Sequence, residues 1–204
     1  VDDLSFGAAI PGGFTSARDM GSHNNGYGDV EIRNAINLGE IDGPRFQVAG
    51  RGIRWQQKPG APADPLDAIA IRSVEDARAA VGEHVKHGVD WIKLYPTGAY
   101  SFTATGEARY ELTYPLPVLQ ALVEETHRLG RKTACHSFGG DGLEFTIAAG
   151  CDTVEHGYGL TQQQLDTIVK TEREGIERRL ADAQERAQRG EIPEATHQQF
   201  QEMA

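Results

Sequence analysis

Three times between Ser73 and Gly157 the chain runs one pattern: an apolar-striped helical stretch stops at a glycine, turns, and enters a short strand ending on a polar residue. In the first unit Ser73 is the expected N-cap, with Asp76 in capping-box position. Ala77, Val81 and Val85 recur every fourth residue on one face, Gly88 ends the helix, and 89–95 reads as a strand. The second unit starts near Tyr114 and Pro115 and carries Leu116, Leu119, Leu122, Val123 and Leu129 at helical spacing. Gly130 stops it, and 132–136 is the strand. The third runs from Asp141 through Leu143 and Ile147 to Gly150, and its strand, 152–156, closes at Gly157. Glycine just past a helix supplies the left-handed residue that turns the chain.

Strands alternating with helices of this length imply βαβ units and a parallel sheet. Earlier strands are expected at 15–19 and 45–49, around a helix over 30–38, which makes about five in all. A barrel and a doubly wound sheet both fit the alternation. Lys93, His136 and His156 all fall at the C-terminal ends of their strands, where barrel enzymes gather their chemistry, and this favours the barrel. The expected fold class is therefore α/β, with a TIM-like parallel barrel favoured over a doubly wound sheet. Residues 52–71 and 97–113 read as long loops on the active-site side. Residues 1–171 are assigned to part of the barrel and 172–204 to a polar helical segment that is expected to follow a missing stretch, one helix or two, broken near Gly190 and Pro193.

The net charge of -10 argues against a nucleic-acid or anionic-membrane surface, both of which require clustered Lys and Arg. No apolar run is long enough to span a bilayer and no signal-peptide pattern is visible, so a cytoplasmic location is favoured. The chain begins at Val1 rather than Met, and the true N-terminus is expected to lie upstream. The partners expected are a small-molecule substrate and further copies of the chain, as a homo-oligomer. Cys135 and Cys151 suggest neither a disulfide framework nor a CxxC metal site. Cys135 reads as a small core residue whose side chain diverges from that of His136, because adjacent strand residues face opposite ways.

Lys93 interrupts an apolar, aromatic strand, and buried lysine is costly unless paired or chemically altered. Two roles suit it: a head that reaches solvent at the strand end, or a neutral amine that has captured carbon dioxide to give a carboxylate-like bridge between two metal ions. His136 and His156 end successive strands beside it and converge with it if the sheet closes. Imidazole nitrogen is the usual protein ligand for zinc, so the three residues form a candidate metal site. His23, Tyr100 and Arg109 lie in loops facing that site and are candidate substrate-binding residues, Arg109 as a carboxylate clamp. His84, His87 and His127 sit on helices and read as surface residues. Arg18 and Asp19 read as an internal ion pair at the mouth.

Four segments carry a family resemblance: GFTSARDMG over 13–21, DWIK over 90–93, ACHS over 134–137 and DTVEHG over 152–157. In this order they resemble the amidohydrolase superfamily, in the subgroup of imidazolonepropionase-like proteins, Xaa-Pro dipeptidases (prolidases) and ochratoxin-type amide hydrolases. The resemblance covers Gly13 to about Lys170. It implies a (β/α)8 barrel with a two-metal site, usually zinc, in which Lys93 is the carboxylated bridge and His136 and His156 ligate the second metal. It also implies a His-x-His pair on the first strand and a catalytic aspartate on the last. This sequence contains no His-x-His, and no strand ending in aspartate follows His156. A partial chain, or one with segments absent between its visible pieces, is expected on that ground, with the catalytic acid/base unassigned. The implied activity is hydrolysis of an amide or peptide-like bond, in a dipeptide or an N-acyl amino acid, by a metal-activated water. The alternatives are ring opening of a cyclic amide or imidazolone and a catalytically silent barrel used for binding.

Overall fold

The structure, a computed structural model, describes residues 10–56 and 64–189. The chain divides into two compact units, Val1–Gly159 and Leu160–Ala204. The first holds β1 (Ser16–Asp19), α1 (Gly28–Leu38), β2 (Arg45–Val48), β3 (Gly52–Trp55), β4 (Ala68–Ile71), α2 (Val74–Lys86) and β5 (Trp91–Leu94). It continues with β6 (Thr97–Phe102), β7 (Ala108–Leu112), α3 (Leu116–Arg128), β8 (Lys132–Ser137), α4 (Gly140–Ala148) and β9 (Thr153–His156).

The strands carrying Lys93, His136 and His156 are parallel neighbours in one five-stranded sheet of order β4-β3-β5-β8-β9. β1 and β2 form a second parallel pair. The Val48 carbonyl accepts the Asp90 N–H at 2.9 Å and Ile53 pairs with Leu94, so β2 and β3 lie end to end along one edge of β5. Between them Gly50 takes φ +66°, and a Cβ there would stand 2.7 Å from the Tyr27 ring. This interruption shifts the strand's alternation by one, so that both Gln47 and Arg54 reach the face of β5 that bears Trp91 and Tyr95. The result is a segment of a parallel (β/α) barrel, as the helix–glycine–strand repeat implies.

The opposite face of the sheet packs on the helices. Val48, Ile53, Ile92, Leu94 and Cys135 meet Ala77 and Val81 of α2 and Leu119 and Leu122 of α3 in one buried cluster. Trp91, Lys93 and Tyr95 alternate with these residues and face inward. The caps follow the sequence pattern: the Ser73 side chain accepts the Asp76 N–H at 3.0 Å. Asp76 reaches back one residue further than a capping box requires, to the Arg72 N–H at 2.9 Å.

Three expectations are corrected. Residues 52–71 are not simply a loop, because β3 and β4 pair in parallel within them; 57–63 lie outside the described residues. Strands of four residues are too short to show a period. Residues 97–113 form an antiparallel hairpin, β6–β7, turning at Gly106 with φ +84°. Cys135 and Cys151 are bonded to each other, with Cα atoms 6.4 Å apart. Cys135 faces outward from β8, and the turn from α4 into β9 carries Cys151 alongside it.

In the second unit α5 (Gln162–Gln188) is one helix, and position 172 lies inside it. Thr161 and Gln164 form its capping box, with Thr161 Oγ1 accepting the Gln164 N–H at 3.2 Å and Gln164 Oε1 accepting the Thr161 N–H at 3.0 Å. The break expected near Gly190 and Pro193 lies outside the described residues. No helix among the described residues is long and apolar enough to cross a membrane.

Candidate active site

The inner face of the sheet is built in layers. Nearest the strand starts, Trp91 donates from its indole nitrogen to Gln47 at 2.8 Å, under the Arg18 guanidinium at 4.8 Å from the ring centre. One layer up stand Lys93, Ala134 and Thr153, which share register across β5, β8 and β9. The next layer holds Tyr95, His136 and Glu155.

Lys93 is 5% exposed and makes no hydrogen bond or ion pair with the described residues. Its ammonium lies 5.3 Å from the centre of the Tyr95 ring. Burial pushes its pKa down to about 8; Glu155 opposes the shift and Arg18 adds to it. An appreciable fraction of this amine is therefore neutral near physiological pH. His136 is pushed down to about 4, first by burial and then by the charges of Lys93 and His156, so it stands as neutral imidazole. That is the form that ligates metals.

His156 reaches the site by a different route from the one alternation suggests. His136 pairs with Glu155, and His156 pairs with Ser137, so regular alternation would turn the two imidazoles to opposite faces. The strand bends instead: His156 adopts φ +75° and Gly157 φ +64°, and the Gly157 N–H bonds the Ser137 carbonyl at 3.0 Å. The two imidazoles end 4.5 Å apart, edge to face. A left-handed non-glycine residue is uncommon and costs of order 1 kcal/mol or more, so neighbouring contacts must hold it.

Glu155 was not singled out from the sequence, although it lies within the DTVEHG segment. It accepts from Arg18 at 3.2 Å and from the Thr153 hydroxyl at 2.6 Å. Burial raises its carboxyl, but Thr153, Arg18 and Lys93 outweigh burial and hold it below the usual range, ionised. Arg18 thus pairs across the inner face with Glu155, and not with Asp19 as expected. Neighbours in a strand point apart, and the Asp19 carboxylate accepts the Gly21 N–H at 3.2 Å.

Of the substrate-binding candidates, Tyr100 faces the site: its ring is 5.3 Å from that of Phe138, which in turn is 4.6 Å from His136. Arg109 pairs with Ser101 and Tyr110 with Tyr100, so Arg109 projects from the other face of the hairpin. His23, with φ +38° and a side chain 79% exposed, stands 3.9 Å from the Asp67 carboxylate. Asp67 also meets Arg54 at 3.4 Å, and Arg54 lies over Tyr95 at 4.3 Å. A cavity of about 360 Å³ opens here, lined by Arg54, Trp55, Tyr95, Thr97, Glu111 and His136.

The helix histidines divide. His87 and His127 are exposed, His127 beside Asp152 at 2.8 Å. His84 is fully buried, contrary to expectation. It sits on the inner side of α2, between the Arg51 carbonyl at 2.7 Å and the Tyr27 hydroxyl at 2.9 Å.

A metal fits this donor set. A buried amine lacking a partner and able to be neutral, beside a neutral imidazole and a second imidazole against it, is poorly explained as a self-sufficient cluster. Among the described residues no three His, Cys, Asp or Glu side chains form a cage by themselves, and His136 and His156 are the residues of this set that would hold a metal.

Comparison with known proteins identifies the family of the chain. The model of the amidohydrolase family matches residues 3–190. The ochratoxinase of Aspergillus niger is 28% identical over 169 residues, covering 72% of this chain and 34% of that protein. An uncharacterised protein of Mycobacterium tuberculosis is 34% identical over 132 residues, covering 62% of this chain and 31% of its own. The crystal structure of a Xaa-Pro dipeptidase with methionine bound in its active site superposes with a TM-score of 0.63 at 28% identity, over 78% of this chain and 40% of that one. The chain thus spans about a third of the length of the curated relatives it matches.

Proposed function

Because the chain belongs to the amidohydrolase family, we propose that it carries part of the metal site of a hydrolase that cleaves an amide or peptide-like bond, in a dipeptide or N-acyl amino acid. The observation that carries this reading is the convergence of His136 and His156, 4.5 Å apart, above a buried Lys93 whose amine has no hydrogen-bond partner among the described residues. The names of the relatives support it, as a dipeptidase and an ochratoxinase both act on amide-type bonds.

In this reading His136 and His156 hold a metal through their imidazole nitrogens, and Lys93, carboxylated on its amine, is the anionic ligand beside them. Zinc, two ions per intact site, is the metal proposed. When bound it supplies an activated water and polarises the scissile carbonyl. The remaining roles fall to the chain itself. Burial keeps the Lys93 amine neutral often enough to add carbon dioxide. Glu155 and Arg18 hold charge balance in the layer around it, with Glu155 near the lysine and Arg18 neutralising Glu155 at 3.2 Å. Tyr95 and the bend at His156–Gly157 orient the two imidazoles. The residue that carries the proton to the leaving amine is not among those of this sequence that the family pattern identifies.

The test is metal content measured together with hydrolysis of a panel of N-acyl amino acids and dipeptides by the full-length protein. Bound zinc with turnover of at least one amide supports the reading. Metal-free protein that stays inactive after zinc is supplied refutes it.

A further inference from the structure

We propose that Tyr100, Phe102, Phe138 and Tyr158 form a wall that binds a planar aromatic group of the substrate beside His136 and His156. The inference rests on the hydrolase reading above for the identity of the reacting bond, but the wall itself stands on packing.

Phe138 is 9% exposed and touches both imidazoles, at 4.6 Å from His136 and 5.4 Å from His156. Tyr158 stacks on it at 5.7 Å with the ring planes 8° apart, and Tyr100 meets it edge-on at 5.3 Å. Phe102 extends the row from Tyr100 at 5.9 Å. The outer members are open to solvent: Tyr100 is 55% exposed, Phe102 66% and Tyr158 65%. Single exposed apolar side chains need no explanation, whereas a contiguous row leading to a pair of histidines marks a binding surface.

The row is rigidly backed. Strand alternation puts Tyr100 and Tyr110 on the same face of the β6–β7 hairpin. The Tyr110 side chain then packs where Gly139 and Gly159 lack side chains; a Cβ at Gly139 would lie 2.6 Å from its ring, and one at Gly159 2.6 Å from its hydroxyl. The hairpin is therefore pressed against the turns that follow β8 and β9, the same turns that carry Phe138 and Tyr158.

Ring spacings of 5–6 Å in tilted and offset stacks are those in which a further ring adds favourably. A quaternary ammonium would also meet ring faces, but the Arg54 guanidinium lies on the same side of the sheet and disfavours a second cation. A neutral or anionic arene is the occupant that both the rings and the charges favour.

The test uses the full-length protein and substrate pairs that differ by one ring: N-benzoyl against N-acetyl amino acids, and N-acetylphenylalanine against N-acetylalanine. In the Phe102→Ser/Tyr158→Ser double variant the aromatic member of the preferred pair should lose roughly tenfold or more in kcat/KM relative to its aliphatic partner, chiefly through KM. Both side chains are largely exposed, so the fold should tolerate their removal. No aromatic preference in the natural protein, or an undiminished preference in the variant, overturns the wall. Ligand-observed NMR of 2-naphthoate separates the two readings. Binding to the natural protein that is lost in the variant, without turnover of any amide, upholds the wall and removes the hydrolase reading. Equal binding to both proteins, or binding to neither, removes the wall.

Discussion

Protonation of His84 should unfold this protein more readily as the pH falls from about 7.5 to about 4.5. The Arg51 carbonyl can only accept, so His84 Nε2 carries the proton and donates to it at 2.7 Å. Nδ1 must then accept, and the Tyr27 hydroxyl donates to it at 2.9 Å while itself accepting from Arg51 Nη2 at 3.2 Å. A second proton on the ring would face a hydroxyl already committed and a guanidinium close by. Burial accordingly pushes His84 from 6.5 down to about 4. A folded-state value below the unfolded one contributes stability that is present above pH 6.5 and is lost as the pH falls toward the folded value. The full span of that loss is about 3.4 kcal/mol, of which about 2.5 kcal/mol is expressed by pH ~4.5. Urea unfolding of the natural protein and of His84→Gln, across this range, isolates the term. His127, held above its usual range by Asp152, contributes in the opposite sense, fading as pH rises, and cancels in the comparison. The natural protein should lose about 2.5 kcal/mol more than the variant. Parallel losses in the two proteins would mean that His84 is not held neutral, and the hydrogen-bond ring drawn here would be wrong.

Four further outcomes are expected. His136→Ala and His156→Ala in the full-length protein should each lower zinc retention by at least about tenfold and hydrolysis with it, measured by metal analysis and initial rates; full zinc content in either variant counts against the ligand assignment. Lys93→Ala should do the same, and a small carboxylic acid should restore part of the activity; unchanged metal and activity refute the bridge. Glu155→Gln leaves Arg18 unpaired and should lower stability by about 1 kcal/mol, because the pair is partly exposed; a denaturation midpoint equal to that of the natural protein argues against the contact. Digestion without reductant should recover the peptides of Cys135 and Cys151 joined, and reduction should cost about 3 kcal/mol for a link spanning 16 residues; two free thiols in the unreduced protein would show that the bond does not form.

Much of the fold is legible because helices announce themselves over ten or more residues. The Ala77–Val81–Val85 stripe, the Ser73 cap and the glycines at 88, 130 and 150 each encode a boundary locally. Elements shorter than that do not. β3 and β4 are four residues each, and their sequences, GIRW and AIAI, acquire their strand conformation from the neighbours they pair with. The hairpin could have been read: Tyr100–Ser101–Phe102 and Arg109–Tyr110–Glu111 both alternate around a glycine-bearing turn. The buried position of His84 is a matter of phase. It lies seven residues beyond Ala77, on the same face of α2, so the stripe continues through a polar residue that hydropathy alone would expel.

The site shows the same division between local pattern and long-range pairing. Strand position alone is enough to select Lys93, His136 and His156 from the sequence. It does not explain how they meet, because the register sets His136 opposite Glu155 and leaves His156 one residue out of phase. Convergence depends on a backbone decision at one residue, the left-handed turn at His156, with Gly157 behind it free to follow at φ +64°. The same turn leads the chain into Tyr158, which is thereby brought over Phe138 at 5.7 Å. One bend thus sets both the second imidazole and the nearest ring of the aromatic wall. A substitution that straightens the strand end should therefore separate His156 from His136 and Tyr158 from Phe138 at once. Gly157→Val, which disfavours positive φ through its branched side chain, is such a change. It should lower zinc retention and 2-naphthoate binding together, while single changes at His156 or Tyr158 should affect the two unequally. Loss of one property without the other in Gly157→Val would show that the imidazole and the ring are positioned independently.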